Sequence, residues 1–255
     1  MRPRKQLGQN FVIDPNTIRK VVATAEISGE DAVLEIGAGA GSLTIELARL
    51  ARRVIAVEFD RRLLPVLSES LDGLPNVEIV HADALRMDLA GIEADNMVGN
   101  LPYNIAVPVV MQILERAPQI GEITVMTQKE VGERLAAEPG SKIYGRASVL
   151  VQYRARTMIA ARVSKRAFFP IPTVDSVIVR LQRRRRLAPL DEAMLSSVVA
   201  AAFAQRRKKL RNTLAAVAGS VEAAAAACER AGIPPDSRAE EVSLEGFVAL
   251  TRALP

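Results

Sequence analysis

One cysteine, one histidine and no tryptophan stand among the 255 residues, and aromatic residues make up only 4%. A lone Cys228 excludes a disulfide framework and fits a reducing compartment. With His81 the only histidine, a Cys/His zinc site is excluded as well. No apolar run reaches the ~18 residues of a membrane helix. The start, MRPRKQLGQN, lacks the apolar core of a secretion signal. A cytoplasmic protein with no membrane partner and no metal is expected. A chain of this length buries enough apolar surface to fold without cross-links, as one large domain or a large and a small one.

Acidic residues are scarce in one region. Between Ala160 and Ala215 there are 13 Lys+Arg and 3 Asp+Glu, a net charge of +10, while the whole chain carries only +5. The remaining residues are therefore acidic overall. A basic segment on an acidic body points to a polyanion partner, with a solvated helix surface as the plainer alternative.

Through the first two-thirds, short β-rich runs alternate with helical patterns. The expected strands are Ala32–Gly37, Arg53–Phe59, Val77–Ala82, Asn96–Asn100 and Glu122–Gln128, with later runs at Val149–Val163 and Asp175–Gln182. The first five are apolar throughout, as buried parallel strands are. Helical stretches such as Ser42–Leu50 and Arg61–Leu71 lie between them. This alternation predicts an α/β fold with a doubly wound, mostly parallel sheet, and the last two strands form an antiparallel pair at one edge. After Gln182 come Arg183–Arg186, Pro189 and four helical patterns, Asp191–Ala204, Arg207–Val217, Val221–Ala231 and Ser243–Ala253. Gly219-Ser220 and Gly232 to Pro235 are the breaks between them. Two domains are expected, 1–185 and an all-α 186–255.

Glu35-Ile36-Gly37-Ala38-Gly39-Ala40-Gly41 follows the first of these strands and opens a helix, as a ligand-binding turn does. Glu58 ends the second strand, where a carboxylate can accept both hydroxyls of a ribose. Asp83 follows the third, where an acid can accept from an adenine amine. Each acid alone also suits a helix N-cap. NAD and S-adenosylmethionine compete for such a turn. Glu35 would repel a pyrophosphate, whereas the cationic sulfonium and ammonium groups of S-adenosylmethionine favour nearby acids.

Asn100-Leu101-Pro102-Tyr103 closes the fourth strand and offers no acid or base. An exocyclic adenine amine is a poor nucleophile because its lone pair is delocalised into the ring. Acceptors at the Asn100 side-chain carbonyl and the Leu101 backbone carbonyl would localise that lone pair. Pro102 stiffens the turn, and Tyr103 can stack on the base. Catalysis of this kind is positioning and electrostatics, on a base taken out of its stack. A structural Asx-type turn is the alternative. In Ala167-Phe168-Phe169-Pro170-Ile171-Pro172, either phenylalanine could close on the other face of the base or simply pack in the core.

Together these residues strongly resemble the ribosomal RNA adenine N6,N6-dimethyltransferase family, of the KsgA/RsmA type, over almost the whole chain. KQLGQNFVID (5–14), LEIGAGAGSLT (34–44), the tetrapeptide at 100–103, EPGSKIYGRASVLVQ (138–152), FFPIPTVDSVIVRL (168–181) and FAQRRKKLRNTL (203–214) carry the likeness. Val12, Ala38 and Ala147 depart from the usual leucine, proline and larger apolar residue. The resemblance implies a class I methyltransferase (Rossmann-like) seven-stranded sheet with a small helical C-terminal domain. It implies S-adenosyl-L-methionine as cofactor, held by Asn10, Val12, Gly37, Glu58, Asp83 and Asn100, with Gln9 and Phe11 helping to enclose it. Asn100, Leu101, Pro102, Tyr103 and Phe168 would be catalytic, with Phe168 favoured over Phe169. Arg206, Arg207, Lys208, Lys209 and Arg211, on a basic helix, would contact RNA phosphates. The implied substrate is a pair of adjacent adenosines near the 3′ end of 16S ribosomal RNA, in a pre-30S particle, and a monomer is expected. Rival readings are a large-subunit ribosomal RNA methyltransferase of the antibiotic-resistance type, a non-catalytic assembly factor and an NAD oxidoreductase.

Overall fold

Valine and isoleucine, whose branched side chains suit a pleated surface, crowd the strands of the computed structural model, which describes Arg4 and residues 8–184 and 191–254. Lys5, Gln6 and Leu7 of the N-terminal motif, Arg185 and Arg186 of the arginine run, Pro189 and the expected boundary at 185–186 lie outside the described residues. In chain order the strands are β1 (Phe11–Val12), β2 (Ala32–Ile36), β3 (Arg53–Glu58), β4 (Val77–His81), β5 (Asn96–Asn100), β6 (Glu122–Gln128), β7 (Ala155–Val163), β8 (Phe168–Phe169) and β9 (Ser176–Arg183). The α-helices are α1 (Pro15–Ala25), α2 (Ser42–Ala48), α3 (Leu64–Ser70), α4 (Tyr103–Arg116), α5 (Lys129–Leu135), α6 (Arg146–Arg154), α7 (Glu192–Ala204), α8 (Leu210–Thr213), α9 (Ala215–Ala218), α10 (Val221–Arg230) and α11 (Leu244–Ala253).

The chain divides into two units. The first comprises the residues up to Glu133 together with Ala155–Arg183. It holds a seven-stranded sheet in the order β4-β3-β2-β5-β6-β9-β7. The first five of these run parallel, and β9 pairs antiparallel with both β6 and β7. The central strands are buried along their length, whereas β4 forms one edge and is half-exposed. One face packs on α1 and α2, with Ile18, Val21, Leu43 and Leu47 against Val33, Val54 and Val98. Each such aliphatic residue contributes about 1.5–3 kcal/mol when fully buried.

Strand order reverses between β2 and β5, which opens a crevice at their C-terminal ends. There Ile36 pairs with Gly99. A Cβ on Gly99 would stand 2.6 Å from the Ile36 carbonyl oxygen. That close approach explains the glycine in Val98-Gly99-Asn100. A two-stranded ribbon, β1 with β8, lies apart from the main sheet and pairs Phe11 with Phe169 and Val12 with Phe168.

Arg183 ends β9 and fastens α4. Its guanidinium donates to the carbonyls of Ile113 (3.1 Å), Leu114 (2.9 Å), Ala117 (2.9 Å) and Ile120 (2.8 Å). These include carbonyls at the C-terminal turn of α4, where a cation also meets the negative end of the helix dipole. The first arginine of the expected polyanion run is thus a helix clamp.

The second unit comprises Arg134–Arg154 and the residues from Arg184 onward. The expected division near 185 therefore has a second counterpart: residues 134–154 leave the first unit and join the C-terminal helices. Within this unit the Tyr144 ring meets Phe203 edge-on at 5.9 Å, and Phe203 meets Phe247 at 5.7 Å.

Two expected elements are corrected. Val149–Val163 is not one strand, because residues 146–154 form α6 and only 155–163 form β7. The β-branched run in Val149–Tyr153 reads as strand, but Ser148 and Gln152 lie one helical turn apart. Ser148 Oγ donates to the Arg134 carbonyl, and Gln152 Nε2 donates to those of Leu135 and Ala137. These tertiary bonds outweigh the local preference. Nor is Arg207–Val217 one helix. Residues 206–209 form a turn, and α8 begins at Leu210, whose N–H donates to the Ser237 carbonyl while that of Arg211 donates to Pro235.

Removing the clamp tests its weight. Arg183→Ala should lower stability by about 2–4 kcal/mol, because four buried carbonyls lose a charged donor. Thermal unfolding followed by circular dichroism would show a fall of several degrees, and Arg183→Lys, which lacks the planar fork, should recover little.

Candidate active site

Three glycines shape the turn after β2. Gly37, Gly39 and Gly41 have φ of 82°, 62° and 90°, which L residues rarely adopt. The N–H groups of Gly37 and Ala38 both donate to the Val57 carbonyl, which ties the turn to β3. The Gly39 N–H donates instead to Glu58 Oε2 at 2.8 Å, and the Asp60 N–H donates to Glu58 Oε1 at 2.7 Å. The Glu58 carboxylate is therefore held in place by the main chain, with a lone pair left on each oxygen.

Asp83, beyond β4, accepts from the Leu85 N–H at 3.0 Å through Oδ1, and its Oδ2 lies 3.6 Å from Arg86 Nε. It forms a local turn and also lines the crevice. His81 Nε2 lies 3.1 Å from the Phe59 carbonyl oxygen. Since a carbonyl only accepts, that nitrogen carries the proton, and His81 steadies the residue after Glu58.

At the end of β5, Asn100 Nδ2 donates to the Asn10 carbonyl at 2.9 Å. The alternative of an Asx-type turn closed by Asn100 is not what forms; its amide reaches a segment far away in sequence. A carbonyl partner at Nδ2 fixes the amide orientation. It leaves Oδ1 as an acceptor with no partner among the described residues. The Leu101 N–H donates to the Met126 carbonyl, while the Leu101 carbonyl itself accepts no hydrogen bond among the described residues. Pro102 caps the start of α4, and Tyr103 is 58% exposed at its first position. Phe168 is 2% exposed and borders both core and crevice, whereas Phe169 is 56% exposed and does not line it.

The crevice is a cavity of ≈ 360 Å³. It brings together Asn10, Gly37, Glu58, Asp83, the tetrapeptide 100–103 and Phe168, with Gln9 and Phe11. Val12 lies in the core behind it, against Phe168. Among the described residues the only charged side chains lining it are Glu58 and Asp83, with Phe59, Leu63, Ala84 and Leu85 as apolar wall. Acids, apolar wall and open glycines fit a cationic ligand without phosphate. Glu35 is buried beneath the glycine turn at 1% exposure and does not line the cavity. Burial raises its carboxyl to about 7, and the Glu58 charge adds to the shift. Thr44 opposes it without closing a hydrogen bond, since Glu35 Oε2 and Thr44 Oγ1 both lack partners.

The five basic candidates divide. Arg206 donates to the carbonyls of Lys142 (3.0 Å) and Tyr144 (2.9 Å) and pairs with Glu240 at 3.1 Å. Lys209 and Arg211 both pair with Asp236, at 2.6 and 3.2 Å. Arg207 and Lys208 are exposed and have no ion-pair partner among the described residues. Sequence reasoning missed Asp60, a buried acid two residues past Glu58, because its distant partner Gln9 meets it only in the fold.

A family model described as ribosomal RNA adenine dimethylase matches residues 1–254. The chain belongs to the ribosomal RNA adenine dimethylase family. Among its relatives is the ribosomal RNA small subunit methyltransferase A of Acidothermus cellulolyticus, 43% identical over 100% of this chain and 90% of the relative. The protein of that name from Streptomyces griseus is 45% identical at the same coverage. Of solved structures, a dimethyladenosine transferase from Plasmodium falciparum shares the fold, with a TM-score of 0.84 and 24% identity over 94% of this chain and 95% of that one. The 23S rRNA methyltransferase ErmE has a TM-score of 0.76 and 31% identity over 96% of this chain and 99% of that one. The dimethylase is thus a methyltransferase enzyme with a class I fold, and family and fold imply S-adenosylmethionine as methyl donor.

Buried Glu35 makes the dimethylase's stability depend on pH. Its folded value lies above its unfolded one, so its contribution is full below about pH 4.5 and is lost as pH rises through about 7. Glu35→Gln should remove that slope, and chemical denaturation at pH 5 and pH 8 should find the variant's advantage only at pH 8.

Proposed function

We propose that this enzyme transfers methyl groups from S-adenosylmethionine to the N6 amines of two adjacent adenosines near the 3′ end of 16S ribosomal RNA, giving N6,N6-dimethyladenosines. The carrying observation is the Asn100 amide, pinned by the Asn10 carbonyl so that its oxygen stands ready as an acceptor. The small-subunit names of relatives at 43 and 45% identity across the chain support the choice of RNA.

When bound, S-adenosylmethionine supplies an electrophilic methyl. Gly37 gives room for its methionine part, Glu58 accepts from the ribose hydroxyls and Asp83 accepts from the adenine amine. Asn10 and the backbone at Val12 help to enclose it. On the acceptor side, Asn100 Oδ1 and the Leu101 carbonyl accept the two N6 hydrogens. They hold the nitrogen in a more tetrahedral shape and free its lone pair. Tyr103 stacks on one face of the target adenine, and Phe168 closes the other. No residue need act as a strong base, because the alkylated nitrogen releases its proton readily. The rate advantage is preorganisation of acceptors that need not move.

Arg207 and Lys208 supply free charge for RNA phosphates, whereas Arg206, Lys209 and Arg211 shape the turn that presents them. The enzyme acts as a cytoplasmic monomer on a pre-30S particle and reads RNA shape more than sequence. A large-subunit substrate is the second reading, favoured by the likeness to ErmE. Primer extension over both ribosomal RNAs, after incubation with undermethylated subunits, separates the two. Stops confined to large-subunit RNA would reverse the assignment.

Three variants probe the roles. Asn100→Ala should cut radiolabelled methyl transfer by roughly 10²–10³-fold, the scale for losing one preorganised polar contact, while donor affinity changes far less. Replacing Arg207 and Lys208 by alanine should reduce the slope of log affinity against log salt by about 1–2. Arg206→Ala should instead lower the melting temperature.

A further inference from the structure

Asp60 is 4% exposed, does not line the cavity and has no role in the chemistry above. Its surroundings are nevertheless specific. Arg62 donates to it through Nε at 3.0 Å, Nη2 at 2.6 Å and its backbone N–H at 3.2 Å. These bonds hold the Asp60 carboxyl well below the usual carboxylate range. Gln9 Nε2, 51 positions away in sequence, donates to Asp60 Oδ2 at 2.9 Å. Gln9 Oε1 accepts from the Arg4 N–H at 2.8 Å, so both ends of that amide are committed.

Asp60 also acts through its main chain, because its N–H donates to Glu58 Oε1 while Glu58 Oε2 receives the Gly39 N–H. One residue thus touches the donor-side carboxylate with its backbone and the segment Gly8–Val12 with its side chain. That segment is a strap over the crevice. Asn10 offers its carbonyl to Asn100, and a Cβ on Gly8 would stand 3.0 Å from Pro102 Cβ.

We infer that Asp60 is a positioning residue that couples donor capture to the acceptor side of the site, by fastening the strap through Gln9. The inference rests on the roles proposed above for Glu58 and Asn100. A ribose drawing on the Glu58 carboxylate changes the bond that Glu58 Oε1 accepts from the Asp60 N–H, and that change reaches Gln9, the Asn10 carbonyl and the orientation of Asn100. The same linkage run in reverse makes a closed strap favour the donor. A simple surface ion pair would account for Arg62 with Asp60, but not for a buried acid that joins Glu58 to Gln9.

Gln9→Glu and Gln9→Ala, in the full chain, test this. Binding of radiolabelled S-adenosylmethionine and methyl transfer to small subunits lacking the modification are each measured at pH 8 and pH 6. The charged residues around position 9 among the described residues are Arg4, Asp60 and Arg62, with Glu58 behind them. At pH 8 the Gln9→Glu carboxylate faces ionised Asp60 at hydrogen-bond distance, so donor affinity and transfer should both fall, transfer by roughly tenfold or more. Asp60's charge raises the introduced carboxyl, so lowering the pH favours its protonated form, which can donate to Asp60, and the deficit against wild type should be smaller at pH 6 than at pH 8. Gln9→Ala should show a deficit that does not change with pH. The coupling is overturned if Gln9→Glu matches wild type at pH 8, if its deficit is the same at both pH values, or if transfer falls with donor affinity unchanged. Wild type that binds no donor, or Asn100→Ala with full transfer, would instead remove the proposed function itself.

Discussion

The hydrogen bond from Asn100 Nδ2 to the Asn10 carbonyl decides which way the Asn100 side chain points. Everything asked of the acceptor side depends on that orientation, since the flipped amide would offer donors to a group that needs acceptors. The bond in turn requires Asn10 to be held over the crevice. The short ribbon of β1 with β8 and the Gln9–Asp60 contact do this from two sides. The donor side is fixed in the same manner, by backbone N–H groups on Glu58. Preorganisation here is largely a matter of main-chain groups gripping a few side chains, which costs little reorganisation when ligands arrive.

Much of this was legible in the chain. The runs that form β2, β3, β5 and β6 are buried strands whose apolar stretches end at the ligand crevice, so periodicity located Gly37, Glu58 and Asn100 together. The resemblance then tied Asn10 and Phe168 to the same site. What escaped depends on partners distant in sequence. Val149–Tyr153 carries β-branched residues and reads as strand, yet forms helix because Ser148 and Gln152 bond the 134–137 carbonyls. Asp60 is an ordinary acid in sequence, and only folding reveals that Gln9 meets it.

Charge was the least transparent signal. The basic stretch suggested a uniform polyanion face, but guanidinium groups also cap helices and shape turns. Arg183 is spent on α4 carbonyls, and Arg206 on those of Lys142 and Tyr144. Only neighbours in space separate a structural arginine from one free to meet phosphate. Arg207 and Lys208, exposed and without an ion-pair partner among the described residues, sit on a turn whose geometry other basic residues maintain.

Placing β9 between β6 and β7 has a consequence for how the chain is made. The residues lining the donor crevice up to Gln128 leave the ribosome well before Ser176–Arg183 does, since domains form from the N-terminus as synthesis proceeds. Until β9 arrives, β6 presents an open edge of unpaired N–H and C=O groups, the kind that recruits other strands. α4 likewise waits for Arg183 to engage its carbonyls. The nascent first unit therefore stays incomplete, and in need of shielding from other chains, until the residues of β9 have been translated.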